Sequence, residues 1–277
     1  MSLLNYFKII NGDVTSIDEF PWTVLIRYKR QATGNWGCGG SLVGKKTVLT
    51  AAHCVESAAL AVLGNIEFVR LGEYDYAKEI DCVMSSGFED CADRPVDIEV
   101  SDIIVHPQRN IEAKLHDIAI LVLDEVPPYT DFIRPICLPD QSLANTYNSN
   151  DILFVAGWGW TVGSVRSPSN IKKYTALNRV DYSQCRGYYR NVIDYWQICA
   201  GGANGQIPCK GDSGGPLMYA SNNQWILTGI VSYGPFPCGK PRVDGAPGVF
   251  TRVSSHMPWI NSILDNIFDP DRYSWEK

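Results

Sequence analysis

Three residues that stand far apart in the chain, Ser213, His53 and Asp117, carry side chains that can together cleave an acyl bond. Ser213 lies in the glycine-rich run CKGDSGGPL, residues 209–217. A glycine-rich turn can hold a serine hydroxyl beside backbone N–H groups, which suits a nucleophile. A serine in such a run is more often part of an ordinary turn, so the prediction depends on the other two residues.

His53 and Asp117 each stand at the end of an apolar segment. His53 ends the run TAAH just before a cysteine, and Asp117 opens the apolar run DIAIL. A single histidine is most often structural, but a carboxylate beside a buried strand is costly unless it has a hydrogen-bond partner. A serine nucleophile requires a base and a third group that orients the base. The three side chains therefore fit an activated serine.

Short β-type segments are predicted to position these residues. The segments rich in β-branched and aromatic residues are 22–28, 47–52, 68–71, 103–106, 118–123, 152–156, 226–232 and 248–253. Gly, Pro, Asn and Asp separate them, and none has a helical period, so we predict an all-β sandwich or barrel. Residues 255–264 are the exception, because a capping serine, an early proline and helically spaced apolar residues predict a C-terminal helix. The polar run 141–150 is the candidate boundary between two halves.

The composition limits the size of the core and the class of partner. A chain of 277 residues with 45% hydrophobic residues can bury the core of one large all-β unit or of two smaller lobes. The net charge of -6 and the pI near 5.2 argue against nucleic acid or an anionic membrane as the partner. The sequence also has no apolar run long enough to span a bilayer.

The nine cysteines indicate disulfides and an oxidising compartment. No two of them form a C-x-x-C pair, and the four histidines show no metal-binding spacing in the sequence. An odd count leaves one cysteine either free or bonded to another chain. The opening MSLLNYFK lacks the features of a signal peptide, and we therefore expect an upstream part of the protein that this sequence does not include.

The order His53, Asp117, Ser213, carried by the motifs TAAHC, HDIAIL and GDSGGP, resembles the chymotrypsin-type serine proteases. The resemblance covers nearly the whole chain and implies a serine endopeptidase. It implies two six-stranded antiparallel β-barrels and a C-terminal α-helix. Residues 9–277 are then the catalytic domain, with its two lobes divided near 141–150.

The resemblance implies one role for each residue of the site. Ser213 attacks the substrate carbonyl, His53 takes the serine proton and later gives it to the leaving group, and Asp117 orients the imidazole. The backbone N–H groups of Gly211 and Ser213 form the oxyanion hole, in which one donor is worth about 3 kcal/mol of barrier. Ser232 lies in the strand that flanks the substrate backbone.

The motif KIING at the start resembles the activation junction of the family, with Asn11 where glycine is commoner. Residues 1–8 are then the remnant of an activation segment. Cleavage after Lys8 frees the ammonium of Ile9, which in the family inserts beside the aspartate preceding the nucleophile, here Asp212. The resulting ion pair orders the oxyanion hole and the pocket. We therefore expect the uncut chain to be a poorly active zymogen.

The cysteines point to one branch of the family. The resemblance implies the disulfides Cys38–Cys54, Cys185–Cys199 and Cys209–Cys238, and leaves Cys82 and Cys91 as a local pair. Each disulfide stabilises the fold by a few kcal/mol if its geometry is relaxed. This pattern, with the odd Cys137 in PICLP, resembles the arthropod clip-domain proteases. There the odd cysteine binds the catalytic domain to an upstream clip-containing chain; the alternative is a buried free thiol.

An acidic loop near the local cysteine pair predicts a structural Ca²⁺ site. Glu73, Asp75 and Asp81 place three carboxylates in a short segment, and oxygen ligands suit this cation. Clip-domain relatives bind Ca²⁺ at the matching positions, with a backbone carbonyl at the place of Lys78. The alternative is a solvated acidic loop.

The substrate pocket departs from the trypsin-like pattern. The resemblance assigns to it Ile207, Pro208, Lys210, Ser232, Tyr233, Gly234 and Gly248. Ile207 stands where trypsin-like relatives have an aspartate, and an apolar floor cannot pair with a buried Arg or Lys of the substrate. Gly234 and Gly248 keep the walls open, and Lys210 adds positive charge at the rim. We therefore predict an apolar or aromatic P1 residue, unless a nearby acid such as Asp244 restores basic specificity.

The leading hypothesis is a secreted haemolymph protease that acts in a cascade of immunity, melanisation or clotting. Its partners are then a protein substrate, an activating protease, the clip-containing chain and a serpin-type inhibitor. One alternative is a catalytically silent homologue that acts as a regulatory cofactor, although the chain keeps Ser213, His53 and Asp117. Another is a digestive or venom protease; the extra cysteines argue against digestion and leave venom open.

Overall fold

The fold is mostly β-strand, as the sequence predicts. The computed structural model describes residues 12–29, 36–85, 87–140, 151–161, 167–189, 193–201, 207–235 and 246–267. The strands are β1 Asp13–Val14, β2 Thr23–Tyr28, β3 Trp36–Leu42, β4 Thr47–Thr50, β5 Ile66–Leu71, β6 Cys82–Ser85, β7 Phe88–Cys91, β8 Val96–Ile98, β9 Val100–Val105, β10 Ala119–Leu123, β11 Ile152–Gly157, β12 Trp160–Thr161, β13 Ser167–Pro168, β14 Lys173–Val180, β15 Gln197–Gly201, β16 Pro216–Ser221, β17 Gln224–Tyr233 and β18 Gly248–Arg252. Each of the eight predicted β-type segments overlaps one of these strands.

The first large sheet has the order β8-β5-β2-β3-β4-β10-β9. Its two edge strands, β8 and β9, are separated in the sequence by Glu99 alone. They are therefore two halves of one extended segment that pairs with β5 at one end and with β10 at the other. The sheet closes on itself, which gives the first predicted six-stranded barrel.

The second large sheet has the order β1-β14-β11-β16-β17-β18-β15, and β14 also pairs with β15. This extra pairing closes the six strands from β14 to β15 into the second barrel. β1 has two residues and adds to the outside of β14. The two sheets take their strands from either side of residues 141–150, which themselves lie outside the described part of the chain.

The described part of the chain holds three α-helices: α1 Ser57–Leu63, α2 Tyr182–Tyr188 and α3 Met257–Ile267. α3 confirms the predicted C-terminal helix and follows a 3-10 turn at Ser254–His256. The sequence did not predict α1 and α2, because seven residues are too few to show a helical period. None of the helices described is long and apolar enough to cross a membrane.

Each barrel has its own apolar interior. Leu49, Ile120 and Leu121 in the first barrel and Leu217 and Phe250 in the second are fully buried. Burying such a side chain contributes about 1.5–3 kcal/mol. β10 is buried along almost its whole length, because β4 and β9 flank it on both sides. The residues that precede β10 are therefore attached to a tightly packed strand.

The disulfides follow the pairings that the resemblance implies. Cys38–Cys54, Cys82–Cys91 and Cys185–Cys199 are bonded. Cys209 is also in a disulfide, while Cys238 lies outside the described residues. Cys137 is a free cysteine and is exposed. The alternative of a buried free thiol is therefore wrong, because this position lies at the surface.

Candidate active site

Asp117 lies between the two barrels, two residues before β10, and is almost completely buried (3% exposed). The Ser232 hydroxyl, in β17, donates a short hydrogen bond to its Oδ2 atom. The Thr251 hydroxyl, in β18, donates to its backbone carbonyl at 2.7 Å. The carboxylate belongs to one barrel and its supporting hydroxyls to the other, so the relative position of the barrels fixes the site.

His53 receives its orientation from Asp117. It lies in the 3-10 turn Ala52–Cys54, which begins two residues after the end of β4. Its Nδ1 atom is 2.8 Å from Asp117 Oδ2, and its backbone N–H donates to Asp117 Oδ1 at 2.9 Å. The ionised carboxylate accepts both bonds, so Nδ1 carries the proton and Nε2 keeps a free lone pair. An imidazole in this tautomer can act as a base.

The surroundings of Asp117 keep it ionised. Burial raises the pKa of Asp117, but the hydrogen bond and charge of His53, with smaller effects of Arg109 and Ser232, outweigh it and lower the pKa to about 2. Arg109 Nη2 lies 3.6 Å from Asp117 Oδ1, and its Nε atom donates to Glu56 at 2.7 Å. A carboxylate that remains charged at every physiological pH can stabilise an imidazolium beside it.

Ser213 is held against β3, which pairs with β4, the strand that leads to His53. The backbone N–H of Gly39 donates to the Ser213 carbonyl at 2.8 Å, and the Thr50 hydroxyl donates to the Gly39 carbonyl at 2.8 Å. Gly214 has φ 79°, and a Cβ atom there would collide with Thr50 Oγ1 and the Gly39 carbonyl. The glycine after the serine is therefore required, because it lets the turn approach the end of β4.

Asp212 directly precedes the candidate nucleophile and is buried (2% exposed). Its carboxylate accepts from the backbone N–H of Gly159 at 2.8 Å and from that of Cys209 at 2.9 Å. Burial raises the pKa of Asp212 to about 6, although the two hydrogen bonds lower it. A small cavity borders this carboxylate, with Val24, Gly40 and Gly157 in its lining. The predicted partner Ile9, and Lys8 before it, lie outside the described residues.

Three of the predicted pocket residues, Gly234, Gly248 and Pro208, lie together. Gly234 and Gly248 are neighbours, since a Cβ atom on Gly234 would lie 3.6 Å from the Gly248 Cα atom. Pro208 packs against Gly248, and Ile207 is 5% exposed. Lys210 is exposed, with its Nζ atom 4.9 Å from the centre of the Trp160 ring.

Tyr233 is half-buried beside these glycines, and Lys114 Nζ lies 4.5 Å from its ring centre. Asp244, the alternative source of acidity in the pocket, lies outside the described residues.

The three carboxylates of the acidic loop are buried, so the alternative of a solvated acidic loop is wrong. Glu73, Asp75 and Asp81 are 1%, 5% and 3% exposed. The backbone N–H of Asp75 donates to Asp81 Oδ2 at 3.0 Å. Arg70 Nη1 lies 3.3 Å from Glu73 Oε2, and Lys78 Nζ lies 3.4 Å from Asp75 Oδ2. Two cationic side chains thus compensate part of this negative charge.

Two features of the loop fit a further cation. Burial raises the pKa of Glu73 to about 7, with a smaller rise from Asp81 and an opposing effect of Arg70. Asp81 Oδ1 is buried and has no hydrogen-bond partner among the described residues. The carboxylates of Glu73, Asp75 and Asp81 are not among the described groups whose three ligand atoms lie within 4.8 Å of one another. Any cation bound in this loop would therefore need further oxygen ligands, from backbone carbonyls or from water.

The sequence did not reveal several residues that support the site. Arg109 pairs with Asp117 across a turn, and the Thr251 hydroxyl comes from a distant strand. Ser232 was predicted to flank the substrate, but its hydroxyl also bonds Asp117. Gly157 and Gly159 leave room for the Asp212 carboxylate, which a Cβ atom at either position would meet. No local pattern marks these residues, because the fold brings them together.

Known proteins resemble this chain over most of its length. The sequence model described as Trypsin matches residues 9–260. The chain is 42% identical over 269 residues to the CLIP domain-containing serine protease HP8 of Bombyx mori, covering 94% of this chain and 70% of HP8. It is 42% identical over 273 residues to the phenoloxidase-activating enzyme of the same species, covering 93% of this chain and 61% of that enzyme.

A solved structure supports the same comparison. The crystal structure of the Drosophila Grass clip serine protease of the Toll pathway aligns with a TM-score of 0.79 and 31% identity. The alignment covers 95% of this chain and 73% of the Grass chain. Mouse neuropsin, a serine protease, aligns with a TM-score of 0.73 and 27% identity over 92% of this chain and 99% of its own.

Proposed function

The chain belongs to the trypsin family of serine proteases and, within it, to the insect clip-domain proteases, and on that premise we propose how its residues act. It is a serine endopeptidase. We assign the nucleophile to Ser213, the general base to His53 and the orienting carboxylate to Asp117. The observation that carries this assignment is the 2.8 Å contact of His53 Nδ1 with the buried Asp117, beside the turn that holds Ser213.

In each of the two stages of the proposed reaction, His53 accepts a proton and then donates it. His53 Nε2 takes the Ser213 proton as Oγ bonds to the substrate carbonyl carbon, and the carbonyl oxygen becomes an oxyanion. The backbone N–H groups of Gly211 and Ser213 stabilise that charge. His53 then gives the proton to the leaving amine, and the C–N bond breaks. A water molecule repeats the two steps on the acyl-enzyme and restores Ser213.

Asp117 makes this cycle possible because its charge is fixed. It stabilises the imidazolium that forms twice in each turnover, and its low pKa means that it does not take the proton itself. Ser232 and Thr251 act as positioning residues, since their hydroxyls bond Asp117 rather than the substrate.

Activation by cleavage after Lys8 is part of the proposal. Residues 1–8 are the remnant of an activation segment, and residues 9–277 form the catalytic domain. The freed ammonium of Ile9 enters the cavity beside Asp212 and pairs with its carboxylate. The raised pKa of Asp212 supports this step. It indicates that the two backbone N–H groups do not offset the cost of burying the negative charge, and a cation beside the carboxylate would lower that cost.

The pocket supports an apolar or aromatic P1 residue. Ile207 is buried at the position that would face the end of the P1 side chain. A cationic P1 side chain would lose its hydration there without gaining a partner. Gly234 and Gly248 add no side chains to the walls. Lys210, at the rim, repels a cationic substrate residue further.

A P1 profile of the Lys8-cleaved protein tests this specificity. Peptide p-nitroanilides with P1 Phe or Leu should have a higher kcat/KM than the matched Arg substrate. Ile207→Asp should reverse the order, because it supplies the missing charge. Faster cleavage after Arg by the wild-type protein would refute the apolar pocket. Cleavage of none of the substrates would instead favour the silent homologue.

The acidic loop is proposed to bind Ca²⁺ through Glu73, Asp75, Asp81 and the carbonyl of Lys78. The unpartnered Asp81 Oδ1 atom and the raised pKa of Glu73 support it. A bound Ca²⁺ neutralises buried negative charge and fixes the loop. It takes no part in the bond cleavage.

Cys137 is proposed to form a disulfide with an upstream clip-containing chain. Its thiol is exposed, and its carbonyl accepts from the Leu227 N–H at 2.9 Å, which holds the cysteine backbone on the second barrel. Mass spectrometry of the natural protein without reduction should show the two chains together. A natural protein in which Cys137 carries a free thiol would contradict the proposal.

We infer an extracellular role in haemolymph from the relatives. One is named a phenoloxidase-activating enzyme, another is Melanization protease 1 of Drosophila melanogaster, and Grass belongs to the Toll pathway. The proposed partners are accordingly a protein substrate, an activating protease and a serpin-type inhibitor. Three disulfides are described, and Cys209 belongs to a fourth. These bonds support an oxidising compartment.

A further inference from the structure

Three of the four histidines of the chain form one buried cluster beside Asp117. His106 follows β9, His116 directly precedes Asp117, and His256 ends the 3-10 turn before α3. Their exposed fractions are 8%, 8% and 1%. One ring nitrogen from each lies within 4.8 Å of the others. We call these three residues the histidine cluster.

Hydrogen bonds define which nitrogens face the centre of the cluster. His256 Nδ1 lies 2.7 Å from the Arg252 carbonyl, so Nδ1 carries the proton and the Nε2 lone pair faces inward. His116 Nδ1 lies 3.1 Å from this Nε2 atom and donates to it. His106 Nδ1 accepts from the Gln108 N–H at 3.2 Å. Two ring nitrogens thus already converge on one point.

We propose that the histidine cluster is a binding site for Zn²⁺, and that its occupation lowers the protease activity. Three imidazole nitrogens and one open position are a common ligand set for this ion. Zn–N distances of about 2.0–2.1 Å in a tetrahedral site place two ligand nitrogens about 3.3 Å apart. The His116–His256 separation of 3.1 Å is close to that spacing.

The charge state of the cluster suits a metal ion. Burial, together with the neighbouring imidazoles, lowers the pKa of His106 and of His256 to about 4, although the hydrogen bond to the Arg252 carbonyl raises that of His256. Burial also lowers the pKa of His116, while Asp194 raises it and Arg109 lowers it. Neutral imidazoles are the form that binds a metal. The ion therefore does not have to displace protons from charged histidines at neutral pH.

Binding requires two local changes. The His106 and His116 rings are stacked, with centroids 4.7 Å apart and planes 8° apart. A metal lies in the plane of each imidazole that binds it, so the His106 ring must turn, which breaks its bond to the Gln108 N–H. His116 must also move its proton from Nδ1 to Nε2, since Nδ1 now donates to His256. The 8% exposure of His106 and His116 gives the ion access.

The other described groups of potential ligands are not available to a metal. One contains Cys38 and Cys54 with His53, and the other contains Cys82 and Cys91 with Glu89. Both cysteine pairs are disulfides and carry no thiolate. Within the described part of the chain, the histidine cluster is the group whose three ligands are all free to bind.

Zinc binding should displace Asp117, because the histidine cluster is connected to the backbone on both sides of this residue. His116 is the preceding residue, with a strained φ of 50°, and the His106 N–H donates to the carbonyl of Ile118 at 3.2 Å. Drawing these two rings onto one ion moves the segment that holds Asp117. A misplacement of about 1 Å in a catalytic group can cost about 100-fold in rate. This effect rests on the role proposed for Asp117, whereas the binding itself does not.

Zinc titration of the Lys8-cleaved protein tests the effect on activity. We expect saturating Zn²⁺ to lower kcat about tenfold or more, because binding displaces Asp117 from its position beside His53. His106→Gln should keep the activity measured without zinc and should raise the half-inhibiting zinc concentration at least about tenfold. Equal inhibition of His106→Gln and the wild type would place the zinc elsewhere, for instance on His53, and would overturn the proposal.

Cobalt binding to Ser213→Ala tests the site without any measurement of activity. Tetrahedral Co²⁺ should give a strong visible absorption in this variant, and one equivalent should bind. Both His106→Gln and His256→Phe in the same background should lose the signal, with melting temperatures showing that they are folded. Absence of the signal in the parent variant would overturn the site. Binding without any loss of kcat in the active protein would overturn the effect on activity.

Discussion

Ser232 shows how much of this site depends on single hydroxyl groups outside the catalytic residues. It donates to Asp117 from β17, and the same strand carries Thr228, whose hydroxyl donates to the Leu217 carbonyl at 3.1 Å. Both residues are buried, at 7% and 1% exposed. They therefore form a matched pair in which one hydroxyl touches the site and the other does not.

Replacing Ser232 by alanine should lower kcat by about 10- to 100-fold with little change in KM. A hydrogen bond to a charged group is worth about 1.5–3 kcal/mol, and each 1.4 kcal/mol is about tenfold in rate. Steady-state kinetics of the Lys8-cleaved protein measure both constants. Thr228→Val should leave kcat within about twofold; an equal fall in both variants would mean that β17, rather than the Asp117 contact, was disturbed.

The raised pKa of Asp212 predicts that the stability of the uncut chain depends on pH. Below about pH 4 its carboxyl is protonated in the folded and in the unfolded protein, so it contributes nothing. The folded pKa is about 6, above the ordinary 3.8, so the cost of burying the charge appears as the pH rises and is complete above about pH 6. The stability of the wild type relative to Asp212→Asn should therefore fall between pH 4 and pH 6.

Urea unfolding of the uncut wild type and of uncut Asp212→Asn, at several pH values, measures this difference. In the Lys8-cleaved protein the dependence should be reduced or reversed, since the Ile9 ammonium stabilises the ionised carboxylate. A difference that is constant with pH in the uncut chain would contradict the account of Asp212.

At the scale of elements, the turn after Ser213 is the most constrained part of the site. Gly214→Ala should destabilise the protein by about 2 kcal/mol or more and abolish measurable activity, because φ is 79° and the new methyl group meets backbone and Thr50 atoms. Gly187, in α2, has nothing within 4 Å of a Cβ atom. Gly187→Ala should be neutral or stabilise by up to about 1 kcal/mol. Melting temperatures compare the two; equal values would contradict the close approach at Gly214.

The acidic loop between β5 and β6 should respond to calcium. Millimolar Ca²⁺ should raise the melting temperature above that in EDTA, since a ligand at about 100 times its Kd adds about 2.7 kcal/mol. Asp81→Asn should remove most of the rise, because it replaces the buried unpartnered oxygen. Equal melting temperatures of the wild type in EDTA and in Ca²⁺ would contradict the proposed Ca²⁺ site.

Eight of the eighteen described strands and the three candidate catalytic residues could be predicted, because their patterns are local. β10 is an uninterrupted apolar run, and its length and bounds are visible in the sequence. β3 was not predicted, because three of its seven residues are glycines, which weaken a strand pattern. The structure explains two of them: a Cβ atom on Gly37 would meet Tyr28, and one on Gly40 would meet Val48. Neighbouring strands require these glycines, and the sequence alone does not show the neighbours.

The whole molecule is needed to assemble the site. His53 and Asp117 come from the first barrel, while Ser213 and the hydroxyls of Ser232 and Thr251 come from the second. This is why the triad was predictable from its motifs but its supports were not. Contacts of Asp117 such as that with Thr251, 134 positions away in the sequence, depend on how the barrels pack. The proposed activation at Asp212 would act on the same junction, since residues of both barrels line the cavity beside its carboxylate.

The most direct test of the account is labelling with a fluorophosphonate, followed by intact-mass measurement and peptide mapping. We expect the Lys8-cleaved protein to take up one label per chain, on Ser213, while the uncut chain labels slowly and Ser213→Ala does not label. Asp117→Asn should label about 10⁴-fold more slowly, because the imidazole is then in the wrong tautomer. A cleaved, folded wild-type protein that takes up no label, or takes it up at a residue other than Ser213, would contradict the central claim.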